Sequence, residues 1–225
     1  MAQDLADQEI PSIGRLLTLT DGVVAIALTL LVLQFRVPVT NPLSMHPHSA
    51  KLLWHALALD GDSLTSYLVA FVVIAEFWPV HHRTLIVMRG HSEGLAWRNF
   101  AFLLFLTLMP FTSDLLGRYG NNPVSITLFG LNLLAISFTM QWIFRYAAGH
   151  NLLLEKGRSA HVELTNNLKT LLRLVIVGLA ILLGWFATGF AKFAWLLFIV
   201  MPWFAERTAR FIERKQSRSA VETDA

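Results

Sequence analysis

The sequence has no cysteine, which excludes a disulfide framework and any thiolate metal site and leaves the redox compartment open. It is also poor in charge: Asp, Glu, Lys and Arg make up 15% of its 225 residues, against 55% apolar side chains. A soluble chain of this length needs more solvated surface than that. The opening segment before Arg15 contains no Lys or Arg and holds Asp4, Asp7 and Glu9 instead. That is the wrong character for a secretory leader, so the first helix is expected to stay in the mature protein. No internal repeat of that helix is present. No pair of His residues has metal-ligand spacing on one helix face and there is no nucleophile elbow, which counts against a metal centre and against a membrane enzyme. The positive balance of +3 is explained by membrane orientation, and no nucleic-acid partner is expected.

What the chain does have is long apolar runs, among them Val23–Leu33, Leu68–Ala75, Phe100–Phe111 and Leu174–Phe190. A hydrocarbon core of about 30 Å takes roughly 20 apolar residues per helical span. Lipid offers no partner to exposed backbone groups, and the runs lack the alternation of barrel strands, so the expected fold is an all-α polytopic membrane bundle. Six transmembrane helices are predicted near 16–36, 64–86, 95–115, 124–147, 168–189 and 191–210. They form one transmembrane domain over 15–212, with an N-terminal segment 1–14 before it and a polar tail 213–225 after it. Six spans put both termini on one side. The segments on that side carry fourteen of the eighteen Lys and Arg residues, so both termini are predicted to be cytoplasmic. The other side keeps Arg36, Lys51, Arg118 and Lys192, with a short helix expected around Ala50–Leu59. Asn121-Asn122-Pro123 reads as a turn and helix start, and Thr188-Gly189 as a tight break between the last two spans. Gly178, Gly184 and Gly189 read as packing glycines.

The first span concentrates the chemistry. Arg15 and Asp21 open an otherwise apolar helix, and at about 100° per residue Ile26, Thr29, Leu30 and Leu33 share one face. On spacing alone that stripe is ordinary lipid contact or packing. Asp21 lies about 140° around the helix from Ile26 and is expected to face neighbouring helices, because an unpaired carboxylate in hydrocarbon costs at least ~2.5 kcal/mol. Arg15, Asp21, His81, His82, Arg83 and Asn99 all fall near the inner ends of the first three spans, which predicts a polar tie among them. His81 and His82 are adjacent, so their side chains diverge. Glu76 lies deeper, just before Trp78-Pro79, and is a second functional candidate as a carboxyl group able to take a proton.

The first span supplies Arg15, Leu19-Thr20-Asp21-Gly22-Val23, Ala25-Ile26 and Thr29-Leu30-Leu31. Trp78 precedes two histidines, and Asn99 precedes Leu108, Pro110 and Phe111. At these residues the chain resembles the prokaryotic members of the transmembrane protein 175 family, potassium-permeable channels without a carbonyl-lined filter. Leu19 and Thr20 stand where the family usually has Phe and Ser, so Thr20 keeps a hydroxyl while Leu19 loses an aromatic contact. The resemblance implies that the first helices of the subunits line a central pathway narrowed by aliphatic rings, by position Ile26, Leu30 and Leu33. It implies that Thr29 contributes to cation preference, and that Arg15, Thr20, Asp21, Trp78, His81, His82 and Asn99 form the structural signature. One signature copy implies a homotetramer.

The leading expectation is therefore a homotetrameric potassium-permeable cation channel of a prokaryotic plasma (inner) membrane. It has no bound cofactor or metal, and potassium and other monovalent cations are its permeant ions. The alternative is a proton-coupled secondary transporter using Glu76 or Asp21. The missing repeat weighs against that alternative. A membrane enzyme and a purely structural protein are the remaining readings.

Overall fold

A computed structural model describes residues 13–35, 48–58, 61–88, 90, 92–154, 160–186, 195, 197, 207 and 208. Each long apolar run within them is helical, as backbone groups in lipid require. The helices are α1 (Ile13–Leu31, continued by a 3-10 turn Val32–Gln34), α2 (Ala50–Ala58), α3 (Gly61–Ile86), α4 (Glu93–Thr107), α5 (Met109–Arg118), α6 (Pro123–Gly149) and α7 (Ala160–Phe186). Among the described residues five stretches are long and apolar enough to cross a membrane: Ile13–Gln34, Gly61–Ile86, Glu93–Arg118, Pro123–Gly149 and Asn166–Phe186. The sixth predicted span, 191–210, and the break at Thr188-Gly189 lie outside the described residues, apart from 195, 197, 207 and 208. So do most of the N-terminal segment 1–14 and all of the tail 213–225.

Helix ends follow local chemistry. Ser92 caps α4 by accepting the Leu95 amide at 3.2 Å, and Asn122 caps α6 by accepting the Val124 amide at 2.9 Å, with Pro123 in the first turn where its missing N–H costs nothing. The stretch predicted as one helix over 95–115 is two, interrupted at Leu108. Pro110 cannot donate to the preceding turn and its ring crowds a carbonyl there, so the ladder breaks and restarts. At the end of α6, Asn151 adopts φ 56°, and the Leu152 amide returns to the Ala147 carbonyl at 2.9 Å. This is a left-handed helix stop, and it turns the chain so that Leu153 bridges Met88 just past α3.

α1 packs on α3, α4 and α5, while α7 packs chiefly on α6. Phe77, Phe102 and Phe129 fill the interior, and Trp195 meets Phe129 edge-on with ring centroids 4.9 Å apart. Two glycines set the closeness of α6 and α7. A Cβ on Gly130 would lie 2.9 Å from Val177 Cγ1, and one on Gly184 would lie 3.0 Å from the Ile126 side chain. Gly178 faces open space, so of the predicted packing glycines within the described residues only Gly184 acts as one. Gly189 lies outside them.

Candidate functional site

The two sides of α1 differ sharply. Leu16, Thr20, Val24, Ala27 and Leu31 recur every three or four residues and are buried, which is the stripe a helix presents to its own bundle. On the opposite side Ile26, Leu30 and Leu33 are 59%, 42% and 71% exposed. Arg15, Leu19, Gly22 and Thr29 continue the uncovered strip. The Thr29 hydroxyl donates to the Ile26 carbonyl at 2.8 Å, so its hydrogen is satisfied within the helix and its oxygen faces outward.

Polar contacts hold the buried side at both ends. Near the start, Asn99 of α4 donates through Nδ2 to Thr20 Oγ1 at 3.0 Å and accepts through Oδ1 from His81 Nε2 of α3 at 2.8 Å. A carbonyl oxygen only accepts, so His81 carries its proton on Nε2. The His81 ring lies flat on Phe102 with centroids 4.2 Å apart, and all three polar residues are buried. Beside them Trp78 Nε1 donates to Asp21 Oδ1 at 2.7 Å, and His82 Nδ1 lies 3.7 Å from the same carboxylate. At the far end Gln34 Nε2 donates to the Pro110 carbonyl at 3.3 Å and Gln34 Oε1 lies 3.2 Å from Ser113 Oγ.

The predicted polar tie thus divides. Thr20, His81 and Asn99 meet in one cluster, and Asp21, Trp78 and His82 in a second. Arg15 and Arg83 are exposed and join neither, because their helical positions turn them outward from the α1–α3–α4 seam. Among the described residues no three His, Asp or Glu side chains gather as a metal site would need. Glu76 is not a free carboxylate. Arg173 of α7 donates to both of its oxygens, at 2.9 and 3.0 Å, with the two side chains 10% and 3% exposed, and the guanidinium lies 4.5 Å from the centre of the Phe77 ring. Arg173, counted from the sequence with the charges of the cytoplasmic side, lies within the membrane-length stretch Asn166–Phe186. Replacing Asn99 with leucine keeps side-chain bulk but strands Thr20 and His81. We expect it to lower stability by about 1–2 kcal/mol, read as a fall in melting temperature of the detergent-solubilised protein; an unshifted transition would discard this tie.

A bundle of membrane-length helices, with its first helix fastened on one side and bare on the other, is the fold of a polytopic helical membrane protein. The family profile described as "Endosomal/lysosomal potassium channel TMEM175" matches residues 15–110, the stretch holding both polar clusters. Over that stretch, less than half of its length, the chain is similar to the TMEM175 family. A potassium channel of Chryseobacterium sp. (strain P1-3) is 28% identical over 129 residues, covering 56% of this chain and 62% of the relative. A potassium channel of Streptomyces collinus is 29% identical over 143 residues, covering 61% and 66% respectively. The chain thus spans less than two thirds of these relatives' length. The crystal structure of a lysosomal potassium-selective channel TMEM175 homolog from Chamaesiphon minutus superposes with a TM-score of 0.72 at 22% identity, covering 86% of this chain and 97% of that one, and so shares its fold.

Proposed function

We propose that the chain is a potassium-permeable cation channel of a prokaryotic plasma membrane, assembled as a homotetramer of six-span subunits whose α1 helices line a central pathway. Both termini are cytoplasmic in this reading, the sixth span being 191–210. Ile26, Leu30 and Leu33 form the constricting rings and Thr29 biases the choice of cation. The observation that carries this reading is the uncovered strip of α1 on the helix that also bears the family-matched residues. The bacterial relatives' names supply the permeant ion. From Ile26 to Leu33 the rings extend about 10 Å along the helix axis, at ~1.5 Å per residue. A constriction of that kind is dry, and it passes an ion only when wide enough to keep part of its hydration.

The transporter alternative loses its main support, since Glu76 is already engaged by a permanently charged guanidinium. Purified protein in liposomes loaded with potassium is expected to release it passively, with a reversal potential that follows the ion gradients alone. Absence of flux, or a fixed coupling to protons, would defeat the channel reading.

A further inference from the structure

The channel reading makes no use of the α4–α6 face, where two cations have no counter-charge among the described residues. The Arg98 guanidinium lies 3.8 Å from the centre of the Tyr146 ring and 4.6 Å from that of Trp142. Its Nη1 donates to the Gly94 carbonyl at 2.6 Å, while its Nε is buried with no partner. Arg145, on the same helix as these rings, is exposed. Among the described residues the ion pairs join Asp21 to His82, Asp114 to Arg118 and Glu76 to Arg173, and none reaches Arg98 or Arg145. Glu93, the acid nearest in sequence to Arg98, is exposed and pairs with neither.

The surroundings are apolar in one direction. Trp97, Phe100 and Leu104 follow one another on the exposed side of α4, each three or four residues on. Phe138 and Trp142 lie on the exposed side of α6, which returns toward Arg145. The helices run oppositely, so both apolar strips lead away from the arginines toward the middle of the membrane. Trp97, 73% exposed, and Trp142 stand beside the cations, the depth at which tryptophan marks the headgroup level.

We propose that Arg98 and Arg145 bind the phosphodiester of an acidic phospholipid, with its acyl chains laid along the strip of Phe100, Leu104 and Phe138. A guanidinium packed against two rings has few rotamers left to lose and is weakly hydrated, which suits it to hold a phosphate oxygen in a partly dry site. Charge complementarity selects an anionic headgroup, and the apolar strip selects a lipid over a free anion.

Native mass spectrometry of the detergent-solubilised protein tests this with phosphatidylglycerol and phosphatidylcholine of identical chains. The parent should take up phosphatidylglycerol more tightly by roughly 25-fold, since each of the two basic groups near an anionic headgroup contributes roughly a fivefold factor. The pair of changes Arg98→Gln and Arg145→Gln should abolish that preference, while Arg118→Gln, at an arginine paired with Asp114, should keep it. Arg145→Gln alone, at an exposed position, should reduce it several-fold even where the Arg98 change prevents folding. No preference in the parent, or a preference surviving in the arginine variants, would overturn the proposal. So would displacement of the lipid by inorganic phosphate, which would make the site one for free anions. A lower oligomer mass in the paired variant would also overturn it, assigning the face to a subunit contact.

Discussion

Glu76→Gln is expected to destabilise the folded bundle by roughly 3–5 kcal/mol, more than Arg173→Met does. Both break the same pair, held by two hydrogen bonds of 2.9 and 3.0 Å, but they leave different remainders. Methionine in place of Arg173 leaves a carboxyl group that can take up a proton and become neutral. Glutamine in place of Glu76 leaves a guanidinium, which does not lose its proton and must stay charged within a membrane-length helix. Only the Phe77 face remains to it, and a ring quadrupole offsets a small part of that cost. Removing both charges, with Glu76→Leu and Arg173→Met together, should restore most of the loss, because a packed apolar pair of similar volume substitutes well for a buried ion pair. Denaturant titration of the purified protein in mixed micelles measures all three. A Glu76→Gln protein within about 1 kcal/mol of the parent would mean that water reaches Arg173 and that the pair is no structural anchor.

Ile26→Asn is the second change with a large expected effect, and it acts on transport instead of folding. Ile26 is 59% exposed and contributes little to the core of its own subunit, so stability should stay within about 0.5 kcal/mol. If four copies surround the pathway, an amide at each supplies partners for water and ions where the parent offers only hydrocarbon. Wetting that ring need lower the barrier by only ~1.4 kcal/mol to raise the rate about tenfold. Potassium flux into liposomes, compared at equal protein density with the parent, is the measurement. Unchanged flux would move the rings off α1, whereas lost flux with an intact fold would mean that Ile26 seals against a neighbouring subunit.

The large features were legible because they follow from solvent and backbone. Long apolar runs have to be helices in lipid, and Asn122-Pro123 can only begin one. The short helix predicted at Ala50–Leu59 appears as α2, Ala50–Ala58. The two faces of α1 could be read from helical spacing, the involvement of Asn99 from its depth in the third span, and that of Thr20 from the family resemblance. Partners far apart in sequence were not legible. Arg173 lies 97 positions from Glu76 and Gln34 lies 79 from Ser113, and no local pattern says which helix will sit beside which. Charge sorting further disguised Arg173, counting it with the cytoplasmic side although it falls within the predicted span 168–189. The interruption at Leu108 had a local signal in Pro110, but a proline two residues into a restarted helix and a proline inside a continuous one look alike in sequence. Pro79 shows the second outcome, lying within the single helix α3.

The polar contacts at the two ends of α1 act as bolts at the feet of a strut. Turning the strut about its long axis would tear Thr20 from Asn99 and Gln34 from Pro110 together, and sliding it would misalign both. The span between the bolts, Val23 to Val32, touches its neighbours through hydrocarbon alone, where side chains can change rotamer without breaking a hydrogen bond. If such struts line the proposed pathway, its bore is expected to change by side-chain rearrangement at fixed helix register or by whole subunits leaning, and not by unwinding of α1.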